Sequence, residues 1–354
     1  MGYINNAPNP KLRWEKTRDV KVALDFGLWK DRINGIVEAY WRKSKDCVTS
    51  EYVPVTTGFF NQSYNTSVLQ NNGVEFSLSV AVLKSKDYNL SVSANVAWNQ
   101  NKLKKYNSPN TSLALDKYVG YPMGAVFSGK YEGIDPETGM YKFKLRPDAV
   151  TNKDGYLREP NNYYYYLGTS VAPFTGGFNL NFSYKNIGLS VGGSYSVKAK
   201  MVDNIESPAG YELLSGSKLE SIPTPHNDLY RNHLNVKREV RNRWTPENRT
   251  GVKYPRLIDA YGKKLGLDLT NPTLTTITRG ALLEDISYLR INTIALSYSL
   301  PQRVLERINF SSAALNLTLN NFFTITKYSG IDPEVPGATY PVSRSVTIGL
   351  NVGF

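Results

Sequence analysis

Nine stretches of this chain carry an apolar residue at every second position, and the residues between them are mostly small and uncharged. The stretch "GVEFSLSVAVL" sets Val74, Phe76, Leu78, Val80 and Val82 against Glu75, Ser77, Ser79 and Ala81. In "NLSVSANVAW", Leu90, Val92, Ala94, Val96 and Trp98 alternate with Asn89, Ser91, Ser93, Asn95 and Ala97. A period of two belongs to a β-strand with one apolar face. The same reading places strands at about 18–29 (Val20, Val22, Leu24, Phe26, Leu28) and 33–43 (Ile33, Gly35, Val37, Ala39, Trp41). Further strands fall at 177–184, 187–195, 285–300, 310–326 and 344–354. The last of these, "SVTIGLNVGF", closes the sequence on Phe354.

The second face of these strands decides the environment. The outer faces of a soluble β-sandwich or propeller are rich in Lys, Glu and Thr, whereas Ser, Asn, Gly, Ala and Thr dominate here. Such residues suit the wet interior of a wide barrel whose exterior meets lipid. A mean hydropathy of −0.38 excludes a bundle of membrane helices. It leaves a barrel open, because a barrel strand is apolar on its lipid face alone. Tyrosine occurs 25 times, and aromatics stand near strand ends (Trp29, Trp41, Tyr88, Trp98, Tyr184, Tyr195, Tyr298, Phe323), as an interfacial girdle requires.

Connection lengths point the same way. "KDR", "KSKD", "KN" and "PQRVLERIN" join alternate pairs of strands, and between them fall long connections at 44–72, 103–173, 200–284 and 327–343. Outer-membrane barrels alternate short periplasmic turns with long extracellular loops. By that count the first strand starts on the extracellular side and the ninth ends in the periplasm. Lipid tolerates no unpaired sheet edge. The expected fold is therefore all-β, an antiparallel transmembrane β-barrel seen in its C-terminal portion, about nine or ten strands of a larger barrel. The start, "MGYINNAPNPKLRWEKT", has no apolar export segment, and the whole of 1–354 reads as one barrel part.

Other chemistries find little support. Cys47 is the one cysteine, which excludes a disulfide framework. His226 and His233 stand at a spacing that fits no usual metal-ligand pair. The net charge of +12 and the basic run 237–256 raise a nucleic-acid reading, but its spacing is irregular and only Trp244 and Tyr254 would stack on bases. No nucleic-acid partner is assigned. No Ser/His/Asp, metal-ligand or Walker-type arrangement marks an enzyme, and no cofactor is expected. One repeat recurs: "KYEGIDPETG" (130–139) and "KYSGIDPEVPG" (327–337). Asp135-Pro136 and Asp332-Pro333 read as rigid loop turns whose aspartates bond backbone N–H groups beyond them. Pairing Asp135 with Glu137, or Asp332 with Glu334, supplies too few carboxylates for a calcium cage, so no metal site is assigned.

Taken in order, several pieces carry a family resemblance: "NPKLRWEKTRDVKVALDFGLWKDRINGIVEAYWRKSKD", "NNGVEFSLS", "GYPMGAVFSGKYEGIDPETG", "YYYYLGTSVAPFTGGFNLNFSYKNIGLSVGGSY", "NRWTPENRTGVKYPRL", "ISYLRINTIALSYSLP" and "NLTLNNFFTITKYSGIDPE". The chain resembles the C-terminal barrel region of SusC/RagA-type TonB-dependent outer-membrane transporters. The resemblance implies a barrel of about 22 strands, with the N-terminal plug domain and first barrel strands outside this sequence. It implies a Gram-negative outer-membrane location and contact with outer-membrane lipid. It also implies energy coupling by the TonB complex through the missing N-terminal region, and a SusD-like surface lipoprotein as partner. The function it implies is import of oligosaccharides or peptides. The alternative is a non-transport barrel acting as an adhesin or surface-binding scaffold.

Substrate contacts are expected from long loops and the inner face. Tyr163, Tyr164, Tyr165, Tyr166 and Trp244 are the candidates, because flat aromatic faces stack on sugars or peptide side chains at little entropic cost. Leu350, Val352 and Phe354 at the end of the last strand resemble the signal read by the barrel-assembly machinery, which a strand edge and its side-chain knob can engage by β-augmentation.

Overall fold

The computed structural model describes residues 6–107, 118–137, 139, 141–150, 162–202, 242–252, 279–336 and 340–354. Nine long strands run in chain order: β1 (Lys16–Leu28), β2 (Ile33–Tyr52), β3 (Asn61–Lys84), β4 (Tyr88–Tyr106), β5 (Phe174–Tyr184), β6 (Ile187–Val197), β7 (Tyr288–Ser299), β8 (Ser312–Thr326) and β9 (Ser345–Gly353). Each pairs antiparallel with the next, so sequence order is spatial order from β1 to β9. A tenth, two-residue strand, Asn6–Ala7, adds in parallel to Asn61–Gln62 of β3. The nine strands are those the alternation predicts, and the fold is the antiparallel membrane wall it implies.

The register explains why. Leu28, Ile33, Val80, Val92, Leu180, Val191, Ile294, Leu319 and Val346 face one another in succession across all nine strands. One residue away, Gly27, Asn34, Ser79, Ser93, Asn179, Gly192, Thr293, Asn320 and Ser345 form the neighbouring row. The first row is wholly aliphatic and the second wholly polar or glycine. A slip of one residue in any pair would thrust a polar side chain into lipid, so the two faces fix the register. On the polar face side chains join across strands. Thr293 Oγ1 donates to Asn320 Oδ1 at 3.1 Å, Asn320 Nδ2 donates to Ser345 Oγ at 3.1 Å, and Asn101 Nδ2 donates to Asn71 Oδ1 at 2.7 Å. On the apolar face two aromatic rings lie over cross-strand glycines. A Cβ at Gly35 would come within 2.3 Å of Phe26, and one at Gly193 within 2.4 Å of Phe178. The ring covers backbone that glycine would otherwise leave bare.

Irregularities fall where the alternation breaks. The β6–β7 and β7–β8 ladders both shift register around Asn292, and Asn321 opposite adopts φ 59°, a left-handed conformation that asparagine tolerates. The bulge lets Leu289 and Ile291 share a face with Ile294 and Leu296 despite the odd spacing between them. Tyr88, Tyr184 and Tyr298 fall in one cross-strand row beside the short turns, forming the girdle expected at that end.

Two expectations about connections need correction. The segment 44–72 is not a long loop: β2 and β3 stay paired up to Tyr52 and Asn61, leaving only 53–60 as connection. Beyond the lipid both faces meet water, so the ladder continues without any call for an apolar face, and the alternation vanishes from the sequence. The later long connections also carry structure. Ala125–Gly129 pairs with Tyr164–Thr169, Tyr131–Ile134 with Tyr141–Phe143, and Lys200–Val202 with Leu283–Asp285. Among the short connections, "PQRVLERIN" holds a helix at Gln302–Arg307. No helix among the described residues is long and apolar enough to cross a membrane.

Orientation is testable by charge. In the full-length protein, Leu78→Arg or Val92→Arg is expected to cost ~2–4 kcal/mol near the bilayer midplane, whereas Ser79→Arg or Ser93→Arg leaves the folded yield unchanged. Heat-modifiable mobility after refolding into bilayers measures this, and equal loss in both pairs would reverse the assignment of faces.

Candidate functional site

The polar face of the wall bounds an open groove of about 960 Å³, lined by Asp25, Asn34, Ser77, Ser79, Ser93, Asn95 and Asn179 among others. Hydroxyls and amides of this kind offer both donors and acceptors to a passing solute. At the end away from the short turns, residues 118–126 fold over β2–β4. Leu103 N–H donates to Tyr121 O at 2.8 Å and Gly120 N–H to Leu103 O at 2.7 Å, extending the edge of β4 above β5. Beneath this cover Glu51 is fully buried, accepting hydrogen bonds from Thr49 Oγ1 at 3.1 Å and from the Tyr106 hydroxyl.

The tyrosine run lies in this region. Tyr164, Tyr165 and Tyr166 belong to the strand paired with Ala125–Gly129, and Tyr163 just precedes it. Alternation separates their roles. The Tyr165 hydroxyl donates to Leu145 O at 2.8 Å. Tyr166 joins a ring cluster, 4.9 Å from Tyr121 and 5.7 Å from Phe127 between centroids, with Tyr118 at 5.1 Å from Phe127. Burial pushes the Tyr163 and Tyr166 phenols above their ordinary pKa. Tyr166 remains 41% exposed and lines a cavity of about 460 Å³ together with Trp98, Lys102, Tyr121, Met123 and Pro173. Trp244 sits elsewhere. It is 6% exposed, and its indole N–H donates to Pro136 O at 2.9 Å, so it clasps the first Asp-Pro turn and does not share the cavity of Tyr166.

The two Asp-Pro turns are alike locally and different in context. Asp135 Oδ1 accepts from Glu137 N–H at 2.8 Å, and Asp332 Oδ1 accepts from Glu334 N–H at 2.9 Å. Asp332 is also held by Arg290. One guanidinium nitrogen lies 2.5 Å from Asp332 Oδ1, a second lies 2.7 Å from Glu334 Oε2, and Nε donates to Thr324 Oγ1 at 3.2 Å. Arg290 and Asp332 are 3% and 5% exposed. The carboxylates of the second turn thus face a guanidinium. Among the described residues no group of three or more His, Cys, Asp or Glu is placed to hold a metal, and His226 and His233 lie outside the described residues. Burial works to raise the pKa of Asp332, but the N–H groups of Glu334 and Val342 and the Arg290 guanidinium outweigh it and hold the carboxyl below its ordinary value. Arg290 was not among the residues singled out above. Its signal was present as one cation in the otherwise uncharged "YLRINTIALSYS".

At the other end of the wall, Leu350 is exposed beyond Leu315, in the same cross-strand row as Tyr298. Val352 pairs with Ala313, and the Phe354 ring meets Phe310 edge-on at 5.1 Å.

An antiparallel wall, apolar on one face and lined with amides and hydroxyls on the other, is the wall of an outer-membrane β-barrel. No protein-family model matches the chain. TonB-dependent receptor P26 of Formosa agariphila is 25% identical across 99% of this chain and 36% of its own length. TonB-dependent receptor SusC of Bacteroides thetaiotaomicron is 25% identical across 98% of this chain and 32% of its own. Among solved structures, the RagAB peptide transporter superposes with a TM-score of 0.76 at 27% identity, over 99% of this chain and 37% of that one. The chain is similar to the SusC/RagA-type TonB-dependent outer-membrane transporters, spans about a third of the length of the curated relatives it matches, and resides in the outer membrane of a Gram-negative bacterium.

The buried ion pair gives a second test. In the full-length protein Arg290→Met leaves Asp332 buried without its cation and is expected to cost ~3–5 kcal/mol, while Arg290→Met with Asp332→Leu recovers most of that loss. Because the pKa of Asp332 is lowered on folding, its contribution is complete above the ordinary aspartate value of about 4 and disappears as the pH falls through the lowered value. Unfolding in denaturant across that range, wild type against Asp332→Asn, measures the difference.

Proposed function

We propose that the chain forms the transport-barrel wall and substrate-facing loops of an energy-coupled importer of oligosaccharides or peptides. The observation that carries this reading is the row of polar residues and glycine across nine strands, on a wall alike over 99% of its length to a peptide transporter. A row of amides and hydroxyls at the lumen side lets a hydrogen-bonding solute exchange water for protein without a large barrier, and nothing in it makes or breaks a bond. The Tyr118, Tyr121, Phe127 and Tyr166 cluster is the stacking platform at the extracellular mouth, with Tyr163, Tyr164 and Tyr165 shaping its strand. Trp244 acts indirectly, by fixing the Asp135-Pro136 turn. Energy comes from the TonB complex through the region outside this chain, and a SusD-like surface lipoprotein delivers substrate. Leu350, Val352 and Phe354 serve recognition by the barrel-assembly machinery.

Uptake assays decide the reading. Cells carrying the full-length gene are expected to accumulate labelled oligosaccharide or labelled oligopeptide, and to lose that accumulation when either the gene or TonB is deleted. Tyr121→Ala with Tyr166→Ala is expected to raise the half-saturating concentration about fivefold or more, since each stacked ring contributes ~0.5–1.5 kcal/mol beyond its burial. Unchanged uptake of both classes, combined with lost surface attachment, would favour a binding scaffold.

A further inference from the structure

We infer that the outward face of β1 and β2, just beyond the apolar band, binds the phosphate groups of the glycolipid that fills the outer leaflet of this membrane. Phase and register carry the argument. Lys16 and Arg18 continue the outward series of Val20 and Val22, and Lys43 and Lys45 continue that of Ala39 and Trp41. Arg18 stands directly opposite Lys43, and Lys16 opposite Lys45. On its other side Lys43 faces the uncharged Gln70. Like charges directly opposite on neighbouring strands repel, yet no acidic residue shares these positions. The nearby carboxylates are engaged elsewhere: Asp19 with Arg42, Glu38 with Lys21, Asp46 with Arg13, and Glu15 with the Val48 N–H at 2.7 Å. Lys16, Arg18, Lys43 and Lys45 are exposed and form no ion pair among the described residues.

Four exposed cations on strands about 4.8 Å apart, with no ion pair among the described residues, make a site for a multiply charged anion. Their position selects its source. The patch begins where the interfacial tryptophans Trp41 and Trp98 end the apolar band, at the extracellular side, the level of outer-leaflet headgroups. Long basic side chains there keep their stems along the apolar wall and their charges among the headgroups. At the opposite rim the turns mix signs, Lys30 beside Asp31 and Lys86 beside Asp87, and no such patch forms.

The test uses the full-length protein in phosphatidylcholine vesicles containing a minor fraction of either phosphorylated or dephosphorylated lipid A. Bound glycolipid per barrel is counted by native mass spectrometry. Wild type is expected to retain the phosphorylated form, and to retain at least about tenfold less of the dephosphorylated form. The triple variant Arg18→Gln, Lys43→Gln, Lys45→Gln is expected to fall to that lower level, while Lys86→Gln with Lys185→Gln at the short turns matches wild type. Equal retention of the two lipids by wild type would overturn the inference, as would equal retention by the triple variant and wild type. Displacement of the lipid by millimolar inorganic phosphate would overturn the assignment to a lipid. Should the triple variant fail to fold, the comparison of the two vesicles with wild type still decides.

Discussion

Backbone hydrogen bonding in hydrocarbon is the constraint on which the rest of this structure depends. Every N–H and C=O at membrane depth needs a partner in protein, because lipid offers none and each orphan costs several kcal/mol. Strands β2 to β8 meet the requirement by pairing on both sides, which leaves the outer edges of β1 and β9 as the places where further strands of a larger barrel attach. Once the ladder is obligatory, the two faces follow. Side chains alternate, so one face must satisfy lipid and the other water, and the sequence writes aliphatic and amide rows one residue apart. The bulge around Asn292 and Asn321 is the local adjustment that keeps both rows intact where the sequence inserts residues.

Above the lipid the constraint relaxes and different interactions take over. Water can satisfy the backbone there, so β2 and β3 extend as a polar hairpin, and the long connections fold into small sheets held by particular contacts. The two Asp-Pro turns show the change. Their local geometry is the same, since aspartate before proline bonds the N–H two residues on in both. What each turn does is set by a partner far away in sequence: Arg290 for Asp332 and Trp244 for Asp135-Pro136. The first is a charge buried with its counter-charge, which fixes a loop against the rim of β7. The second includes a hydrogen bond from a buried indole N–H to Pro136 O.

The groove and the aromatic cluster belong to these two regimes in turn. The groove of amides and hydroxyls exists because the lumen face of a barrel has to be wet, and the cluster of Tyr118, Tyr121, Phe127 and Tyr166 exists because the connection between β4 and β5 is long enough to fold back on itself. The wall resists a change of register because a slip exposes a whole row, and the loop layer is held by its own contacts.

The sequence by itself determined the nine strands, their alternating faces and their antiparallel order. Each of these rests on a periodic or local pattern that lipid enforces at every second residue. It also marked the tyrosine run and both Asp-Pro turns as features of loops. It misjudged the extent of β2 and β3, because a ladder in water needs no apolar face and leaves no period to read. It passed over Arg290, whose importance depends on burial beside Asp332, 42 residues away. Only the tertiary structure decided that Tyr166 opens onto a cavity while Tyr165 is tied to Leu145, and that Trp244 closes on Pro136 across 108 residues. Such contacts are single events between distant segments. They are chosen by how the loops pack once the wall has brought their ends together, and no repeating physical demand writes them into the chain.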